Sequence, residues 1–200
     1  MEADRIAVQP LVERAEGGED GDDRGRSATR RWKRGDKYFW PGHNSLDFLT
    51  NVHESVFDVD GVTFKSVSWY MWYMRARAWR PSSDLAVLIR EADSQDKAKQ
   101  LSRRCTSSAP SLSSAWMAAR LKIMARAVMR KFECSEELSG RLMETGEDRL
   151  LYASRFDAFY GIGFTMKDAP DRTDEWGRNY LGEMLMLVRK RLIERSGVCR

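Results

Sequence analysis

The spacing of hydrophobic residues changes along the chain, and the first change separates a β-like region from a helical one. Apolar residues flank the turn signal Asp60-Gly61 between positions 57 and 67, which predicts a β-hairpin within a β-like segment over residues 45–68. From Ser68 onward, aromatic and apolar side chains recur every three or four residues, which predicts a helix. This recurring set consists of Trp69, Trp72, Tyr73 and Ala76. Such a stripe is typical of a helix that packs into a core.

The rest of the chain predicts mainly helices. An amphipathic helix over residues 116–132 is the strongest of them, because Leu121, Met124 and Val128 fall on one side. In chain order, the other predicted elements are helices over residues 85–91, 94–101 and 135–146, a loop over residues 106–114, a strand over residues 150–153 and a last helix from about residue 179.

Residues 1–36 differ from the rest by their charge and their shortage of apolar side chains. An acidic block between Glu13 and Asp23 is followed at once by a basic block from Arg24 to Arg34. Ordering such a stretch costs conformational entropy without burying apolar surface. We therefore predict a disordered charged tail over residues 1–36 and one folded domain over residues 37–200. The basic block is a candidate contact for nucleic acid or a protein partner, and the alternative is a solvated linker neutralised by the acidic block.

Composition favours a folded protein and argues against several kinds of site. Hydrophobic residues make up 42% of the chain, whereas a net charge of +4 from 34 basic and 30 acidic residues indicates no partner by itself. The three cysteines are widely spaced and form no CxxC pair, so we expect neither a disulfide framework nor a cysteine-based zinc site. We expect no metal and no cofactor, and we interpret His43 and His53 as ordinary polar residues. No secretory leader and no run of roughly 18 to 20 apolar residues is recognisable, which favours a cytoplasmic protein.

Familiar catalytic motifs are missing from the sequence, which contains no GxSxG, HExxH or P-loop. A short loop over residues 157–163 nevertheless gathers Asp157, Tyr160, Gly161 and Gly163 shortly before a helix that is predicted to begin near Asn179. A carboxylate, an aromatic face and the backbone amides at a helix start together suit a nucleoside or ribose ligand. The glycines by themselves indicate only a turn.

Several weaker motifs follow one another in an order that resembles the YbiA-like (NADAR) family. That family typically has a Phe-Leu-Ser-Asn segment, a strand ending in Asp-Gly, a Trp-Gly-x-Gly loop and a Gly-x-Asn-x-Leu-Gly helix start. The corresponding segments here are Phe48-Leu-Thr-Asn51, Asp60-Gly61, Tyr160-Gly-Ile-Gly163 and Gly177-Arg-Asn-Tyr-Leu-Gly182. The resemblance covers about residues 45–195. It implies a single, mainly helical α+β domain of the YbiA/NADAR type with a small β-sheet.

The resemblance also implies a pocket for ligands related to ADP-ribose and NAD, and cleavage of N-glycosidic bonds. One branch of the family acts on phosphorylated pyrimidine intermediates of riboflavin synthesis, and another removes ADP-ribose from guanine in nucleic acid. Carried over position by position, the implied ligand-binding residues are Asn51, Tyr70, Arg75, Trp116, Asp157, Tyr160, Gly161, Gly163 and Asn179. Tyr160 replaces the family's usual tryptophan and keeps an aromatic face.

Two positions depart from the family in a way that bears on catalysis. Its Thr-x-Glu-x-Tyr segment, with a lysine seven residues after the glutamate, corresponds here to residues 66–70 and position 75. Ser68 stands at the glutamate position and Arg75 at the lysine position, and no Glu or Lys occurs between positions 66 and 80. Glycoside cleavage uses a carboxylate, and arginine, unlike lysine, stays protonated, so we expect binding to outlast catalysis. Tyr152 stands at a second acidic position, which leaves Asp157 as the candidate catalytic carboxylate.

Three hypotheses account for these features. The first is a degenerate NADAR-like domain that binds a ribosylated nucleotide or an ADP-ribose-like ligand, or that serves as an interaction or assembly module. Such a domain would suit a host regulator as well as a viral accessory or structural protein. The second is an active N-glycosidase that uses Asp157, and the third is a nucleic-acid-binding protein that relies on the block from Arg24 to Arg34. The residues favour the first hypothesis over the other two.

Overall fold

The computed structural model describes residues 35–43, 45–79, 84–106 and 110–198. Apart from its last two residues, the predicted tail over residues 1–36 lies outside the described residues, and so does the basic block from Arg24 to Arg34. In chain order, the strands and helices are β1 (Asp36–Phe39), β2 (Phe57–Val59), β3 (Val62–Phe64), α1 (Val67–Trp79), α2 (Leu85–Arg90), α3 (Gln95–Arg103), α4 (Pro110–Glu133), α5 (Glu136–Met143), β4 (Arg149–Tyr152) and α6 (Tyr180–Val198). Three short 3-10 helices lie at Asp47–Leu49, Arg104–Thr106 and Pro170–Glu175. The predicted fold class, mainly helical α+β with few strands, is confirmed.

The chain is organised as two compact units. The continuous unit, Asn51–Ser135, contains β2, β3 and the helices α1 to α4. The discontinuous unit combines Met1–Thr50 with Glu136–Arg200, and its described part contains β1, β4, α5 and α6.

The hairpin of the continuous unit is confirmed, and its turn shows why the sequence signalled it. Asp60 and Gly61 both have left-handed backbone angles, with φ of 55° and 76°. Two such residues in succession give the turn whose twist matches a pair of antiparallel strands. The Asp58 side chain accepts a hydrogen bond from the Gly61 amide at 2.9 Å, and β2 pairs with β3 so that Phe57 lies opposite Phe64.

The aromatic stripe of α1 faces a core, as its spacing predicts. Trp69 is 4% exposed and Ala76 is fully buried. The Trp69 indole nitrogen donates a 2.5 Å hydrogen bond to the Ile89 carbonyl of α2, so the one polar atom of this buried ring is satisfied. The buried cluster around them also contains Leu85, Ala86, Ile89, Ala92, Ala98 and Cys105.

A parallel strand pair holds the discontinuous unit together, and the sequence predicts only one of its two strands. β1 pairs with β4 in a register that places Asp36 opposite Arg149 and Phe39 opposite Tyr152. The Arg149 guanidinium grips the buried Asp36 carboxylate through two hydrogen bonds of 2.7 and 2.5 Å. A four-residue strand that begins with two charged residues shows too little alternation to be recognised before its partner is known.

Two predicted elements are wrong. The stretch at the start of the β-like segment forms the 3-10 helix Asp47–Leu49, because side chains close local turns there. Asp47 accepts from the Gly42 amide at 2.7 Å, and the His43 ring accepts from the Leu46 amide at 3.1 Å. Residues 110–114 of the predicted loop over residues 106–114 form the start of α4 instead, and Pro110 occupies the first helical position, where its missing N–H costs nothing.

Candidate functional site

The first group of candidate residues lies at the start of α1 in the continuous unit. The buried Ser66 hydroxyl accepts a hydrogen bond from the Trp69 amide at 3.2 Å and thereby caps the helix. The Ser68 amide donates to the Asn51 carbonyl at 2.8 Å, which places position 68, where the resemblance expects a glutamate, directly beside Asn51. Arg75 follows seven residues later and therefore lies on the same face of α1 as Ser68.

Two buried polar atoms of this group have no hydrogen-bond partner among the described residues. They are Oδ1 of Asn51 and Nε of Arg75. The Asn51 amide nitrogen reaches only the Met124 sulfur, at 3.4 Å, which is a weak acceptor. Because leaving one such atom unsatisfied costs about 1–3 kcal/mol, two of them beside one helix face suit a place that a polar ligand completes.

Arg75 also contributes to a positively charged environment around a buried thiol. Cys105 is 2% exposed, and this burial raises the pKa of its thiol. The positive charges of Arg75 and Arg104 are close enough to oppose that rise in pKa. An anion such as a phosphate can neutralise the positive charge of two guanidinium groups near a neutral thiol. Arginine binds a phosphate with two parallel hydrogen bonds.

Tyr70 and Trp116 differ in how far they are available to a ligand. Tyr70 is 3% exposed and packs edge-on against Phe64, with ring centroids 4.9 Å apart. Its hydroxyl interacts with Arg126, and burial raises its pKa. The Tyr70 ring thus supports the hairpin, which leaves little of it for a ligand to touch. Trp116 is half-buried on α4, two turns before Met124, and keeps part of its ring accessible.

The second group of candidate residues is the loop over residues 157–163 in the discontinuous unit, and Asp157 organises it. One oxygen of the half-buried Asp157 carboxylate accepts from the amides of Phe159 and Tyr160, at 3.0 and 2.7 Å. The Asp157 carbonyl accepts from the Gly163 amide at 3.2 Å. The second carboxylate oxygen has no such amide bond among the described residues, so it is the atom with which Asp157 could act on a ligand.

Tyr152, at the family's second acidic position, lies within electrostatic range of Asp157. Burial raises the pKa of Tyr152, and the negative charge of Asp157 raises it further. The Tyr152 ring stacks on Phe39 with centroids 5.5 Å apart. A neutral phenol therefore occupies this position, and it can donate a proton or a hydrogen bond but carries no negative charge with which to stabilise a cation.

Replacement of Asp157 by asparagine is expected to lower the pKa of Tyr152. Asparagine keeps the oxygen that accepts from the Phe159 and Tyr160 amides, but it removes the negative charge that disfavours the tyrosinate. Ultraviolet difference titration measures this shift, with Tyr152→Phe identifying the signal. An unchanged titration curve in Asp157→Asn would contradict the proximity of the two groups.

The glycines and Asn179 have packing roles in the same region. A Cβ atom on Gly161 would lie 2.7 Å from the Tyr152 carbonyl oxygen, and Gly163 has a left-handed φ of 79°. Asn179 is 5% exposed, and its side-chain amide binds the backbone through both polar atoms. The oxygen accepts from the Tyr152 amide at 3.0 Å, and the nitrogen donates to the Leu150 carbonyl at 2.9 Å. Through close packing and hydrogen bonds, these residues hold the loop over residues 157–163 and α6 against β4.

The start of α6 offers fewer free amides than the sequence suggests. The amides of Tyr180 and Leu181 donate to the carbonyls of Phe159 and Tyr160, at 3.3 and 3.0 Å. The Asn179 amide likewise donates to the Gly161 carbonyl at 3.0 Å. Because the loop already occupies these donors, they are not free to bind a ligand.

Gln95 is a polar residue of the first group that sequence patterns do not reveal. Its side chain accepts from the Ser66 hydroxyl at 2.8 Å and donates to the Val52 carbonyl at 3.1 Å. It thereby ties the start of α1 to the segment that carries Asn51. Ser94 precedes it and caps α3, since its hydroxyl accepts from the Lys97 amide at 3.3 Å.

Within the part of the chain that the structure describes, no three His, Cys, Asp or Glu side chains are grouped so that they could hold a metal ion. No helix in the described ranges is long and apolar enough to cross a membrane.

Comparison with known proteins points to one family. A family model described as NADAR domain matches residues 38–193. The chain is 34% identical over 104 residues to N-glycosidase R617 of Acanthamoeba polyphaga mimivirus, which covers 51% of this chain and 59% of that protein. It is 30% identical over 122 residues to N-glycosidase Npun_R5314 of Nostoc punctiforme, which covers 60% of this chain and 70% of that protein.

Two further similarities extend this comparison. The riboflavin biosynthesis protein VVA0006 of Vibrio vulnificus is 36% identical over 81 residues, which cover 40% of this chain but only 20% of that protein. The NMR structure of the E. coli protein YbiA superposes with a TM-score of 0.64 at 20% sequence identity, and the match covers 85% of this chain and 92% of that chain. At this level of identity, the structural likeness bears on the fold alone.

Proposed function

The chain belongs to the NADAR domain family, and from this premise we propose that it binds a ribosylated nucleotide or an ADP-ribose-like ligand and has lost N-glycosidase catalysis. Relatives named as N-glycosidases support a glycohydrolase scaffold. The observation that carries the binding proposal is the pair of buried, unpartnered atoms, Asn51 Oδ1 and Arg75 Nε, beside the face of α1 that holds Ser68. A sugar hydroxyl can donate to the amide oxygen, and a phosphate can accept from the guanidinium.

The loss of catalysis follows from the chemistry of Ser68 and Arg75. A serine hydroxyl carries no charge with which to stabilise an oxocarbenium-like transition state, and it is a poor proton donor at neutral pH. Arginine cannot release a proton to become the amine that forms a Schiff base. The same guanidinium binds a phosphate well, which is why binding is expected to survive.

The second candidate function is an active N-glycosidase in which Asp157 acts alone. The free carboxylate oxygen of Asp157 and the names of the relatives favour it. Two amide hydrogen bonds to the other oxygen hold the Asp157 carboxylate in place, so its free oxygen is available to positive charge that develops on a ligand. Turnover that disappears in Asp157→Asn would establish this candidate and reject the catalytic part of the proposal.

Contact with nucleic acid or a protein through the block from Arg24 to Arg34 remains part of the proposal, as does a role in assembly. Deletion of residues 1–36 tests it. RNA or DNA binding that persists in the truncated chain would contradict the assignment of this contact to the tail.

Replacement of Arg75 by alanine is expected to weaken ADP-ribose binding, measured by isothermal calorimetry, by roughly 10- to 150-fold. This range corresponds to the loss of one hydrogen bond between charged groups, about 1.5–3 kcal/mol. Arg90→Ala is the matched control, because Arg90 belongs to the same unit but pairs with Glu91 on the surface. Absence of heat with the natural chain at millimolar ADP-ribose would reject the binding proposal.

A further inference from the structure

A single large aromatic side chain is displayed on the surface beside Asp157. Phe156 is 85% exposed, more than any other large hydrophobic side chain in the described residues. The free energy falls when another apolar surface covers an exposed phenyl ring and removes it from water. The family motif does not account for this residue, and the hydrogen bonds that organise the loop over residues 157–163 do not involve its side chain.

The backbone around Phe156 is held firmly enough to present the ring in a defined place. The Asp157 amide donates to the Ser154 carbonyl at 3.4 Å, and the Arg178 amide donates to the Ala158 carbonyl at 2.7 Å. The Asp157 carboxylate fixes the next two amides of the loop, as described above. Exposure of the ring is therefore a property of a well-bonded turn, and binding to it costs little ordering of the chain.

Arg155 gives the exposed ring a charged neighbour. Its guanidinium carbon lies 4.5 Å from the centroid of the Phe156 ring, within the range of a cation–π contact. Arg155 is itself exposed, and so is Arg178, whose backbone is bonded to the same turn. An aromatic face next to one or two guanidinium groups is complementary to a flat ring that carries a phosphate.

We propose that Phe156 and Arg155 bind the base and phosphate of a nucleotide, with the base stacked on Phe156 and the phosphate paired with Arg155. The inference rests on the proposed function, and it deepens it by naming the part of the ligand that is recognised here. Base stacking on an aromatic side chain tolerates any base and contributes substantially to affinity. The preferred ligand is therefore one that carries an aromatic base and a phosphate, supplied either by a free nucleotide such as ADP-ribose or by a single-stranded nucleic acid.

The surroundings of Phe156 favour a nucleotide over a protein surface. The centre of a protein–protein interface is depleted of charged residues and combines several apolar side chains. Here the ring is flanked in sequence by Arg155 and Asp157, and the exposed residue of the neighbouring segment is Arg178. An aromatic ring beside positive charge is the combination on which proteins stack the bases of single strands.

The test compares Phe156→Ala, Phe156→Trp and Arg155→Gln in the full chain. The binding of ADP-ribose, ribose 5-phosphate and a short oligodeoxythymidylate is measured by calorimetry and fluorescence anisotropy.

Loss of a stacking ring weakens binding by roughly 5- to 150-fold, so Phe156→Ala should lower affinity for a base-containing ligand by this factor. Phe156→Trp should retain that affinity. Ribose 5-phosphate has no base, so it should bind Phe156→Ala, Phe156→Trp and the natural chain equally, whereas Arg155→Gln should weaken the binding of both ADP-ribose and ribose 5-phosphate. Met166→Ala is the matched control, because Met166 is an exposed apolar residue of the same unit, 47% exposed.

Each outcome decides the inference. A loss confined to ADP-ribose supports it with a free nucleotide as the source, and a loss confined to the oligonucleotide supports it with a single strand as the source. Equal affinity of Phe156→Ala and the natural chain for both ligands overturns it. If both still bind and Arg75→Ala alone weakens them, the proposed function stands and only the stacking inference fails. If the natural chain binds neither ligand, both fail together.

Discussion

The double variant Ser68→Glu/Arg75→Lys is expected to show far more N-glycosidase activity than the natural chain, if the proposed function holds. It places a carboxylate and an amine at the two positions where the resemblance to the NADAR family expects them. Because general acid–base catalysis contributes roughly 10²–10⁴-fold in rate, hydrolysis should rise by at least about 100-fold over the natural chain. The measurement is release of the free base from a phosphorylated pyrimidine intermediate of riboflavin synthesis or from ADP-ribosylated guanine.

The local geometry can accept these two changes. Position 68 is half-buried, so a longer side chain has space to extend. It lies in the first turn of α1, where the helix dipole stabilises a negative charge. The Ser68 amide is bonded to the Asn51 carbonyl at 2.8 Å, an interaction of the backbone that the substitution leaves in place.

Matched variants separate chemistry from packing in this experiment. Ser68→Gln/Arg75→Met has side chains of similar size without the carboxylate or the amine, so it should remain inactive. Addition of Asp157→Asn to the active double variant measures how much the remaining carboxylate contributes. The explanation by loss of two side chains would be wrong if the natural chain already matched the double variant in rate.

The parts of the fold that the sequence predicts are those set by local interactions. The hairpin follows from Asp60-Gly61, whose left-handed angles need no distant partner. The core face of α1 follows from the spacing of Trp69 and Ala76. β1 is different, because its partner β4 lies more than a hundred residues away and only that pairing makes Asp36–Phe39 a strand.

The same distinction applies to the candidate residues. Motif order identifies Asn51, Arg75 and Asp157, but it does not tell which of their atoms are already bonded. Asn179 is an example, since the motif marks it as a ligand residue, whereas in the structure its amide oxygen and nitrogen each bind the backbone of β4. A family motif contains residues that maintain the fold as well as residues that bind the ligand. The contacts of each side chain are needed to tell the two kinds apart.

Gly182 is a position where close packing of α6 on β4 requires a glycine, so its replacement is expected to lower stability strongly. An alanine Cβ at this position would collide with the Leu150 carbonyl oxygen and with the Asn179 side-chain amide, whose oxygen would be 2.7 Å away. The Asn179 amide already joins α6 to β4 through its bonds to the Tyr152 amide and the Leu150 carbonyl. The methyl group would therefore push the helix off the strand and break these bonds.

Gly182→Ala is expected to lower the free energy of unfolding by about 3 kcal/mol or more, from overpacking of roughly 1–3 kcal/mol plus at least one buried hydrogen bond of similar value. Gly140→Ala in α5 is the matched control, because a Cβ there meets nothing within 4 Å. Alanine replaces a helical glycine at Gly140 as well, so this control should gain about 0.5–1 kcal/mol from helix propensity. Urea unfolding of both variants measures the difference. Equal changes in the free energy of unfolding would show that Gly182 is not required for close packing. A loss of stability in Gly182→Ala and a gain in Gly140→Ala would show that the glycine at this helix start is needed for α6, and with it the Asp157 loop, to pack against β4.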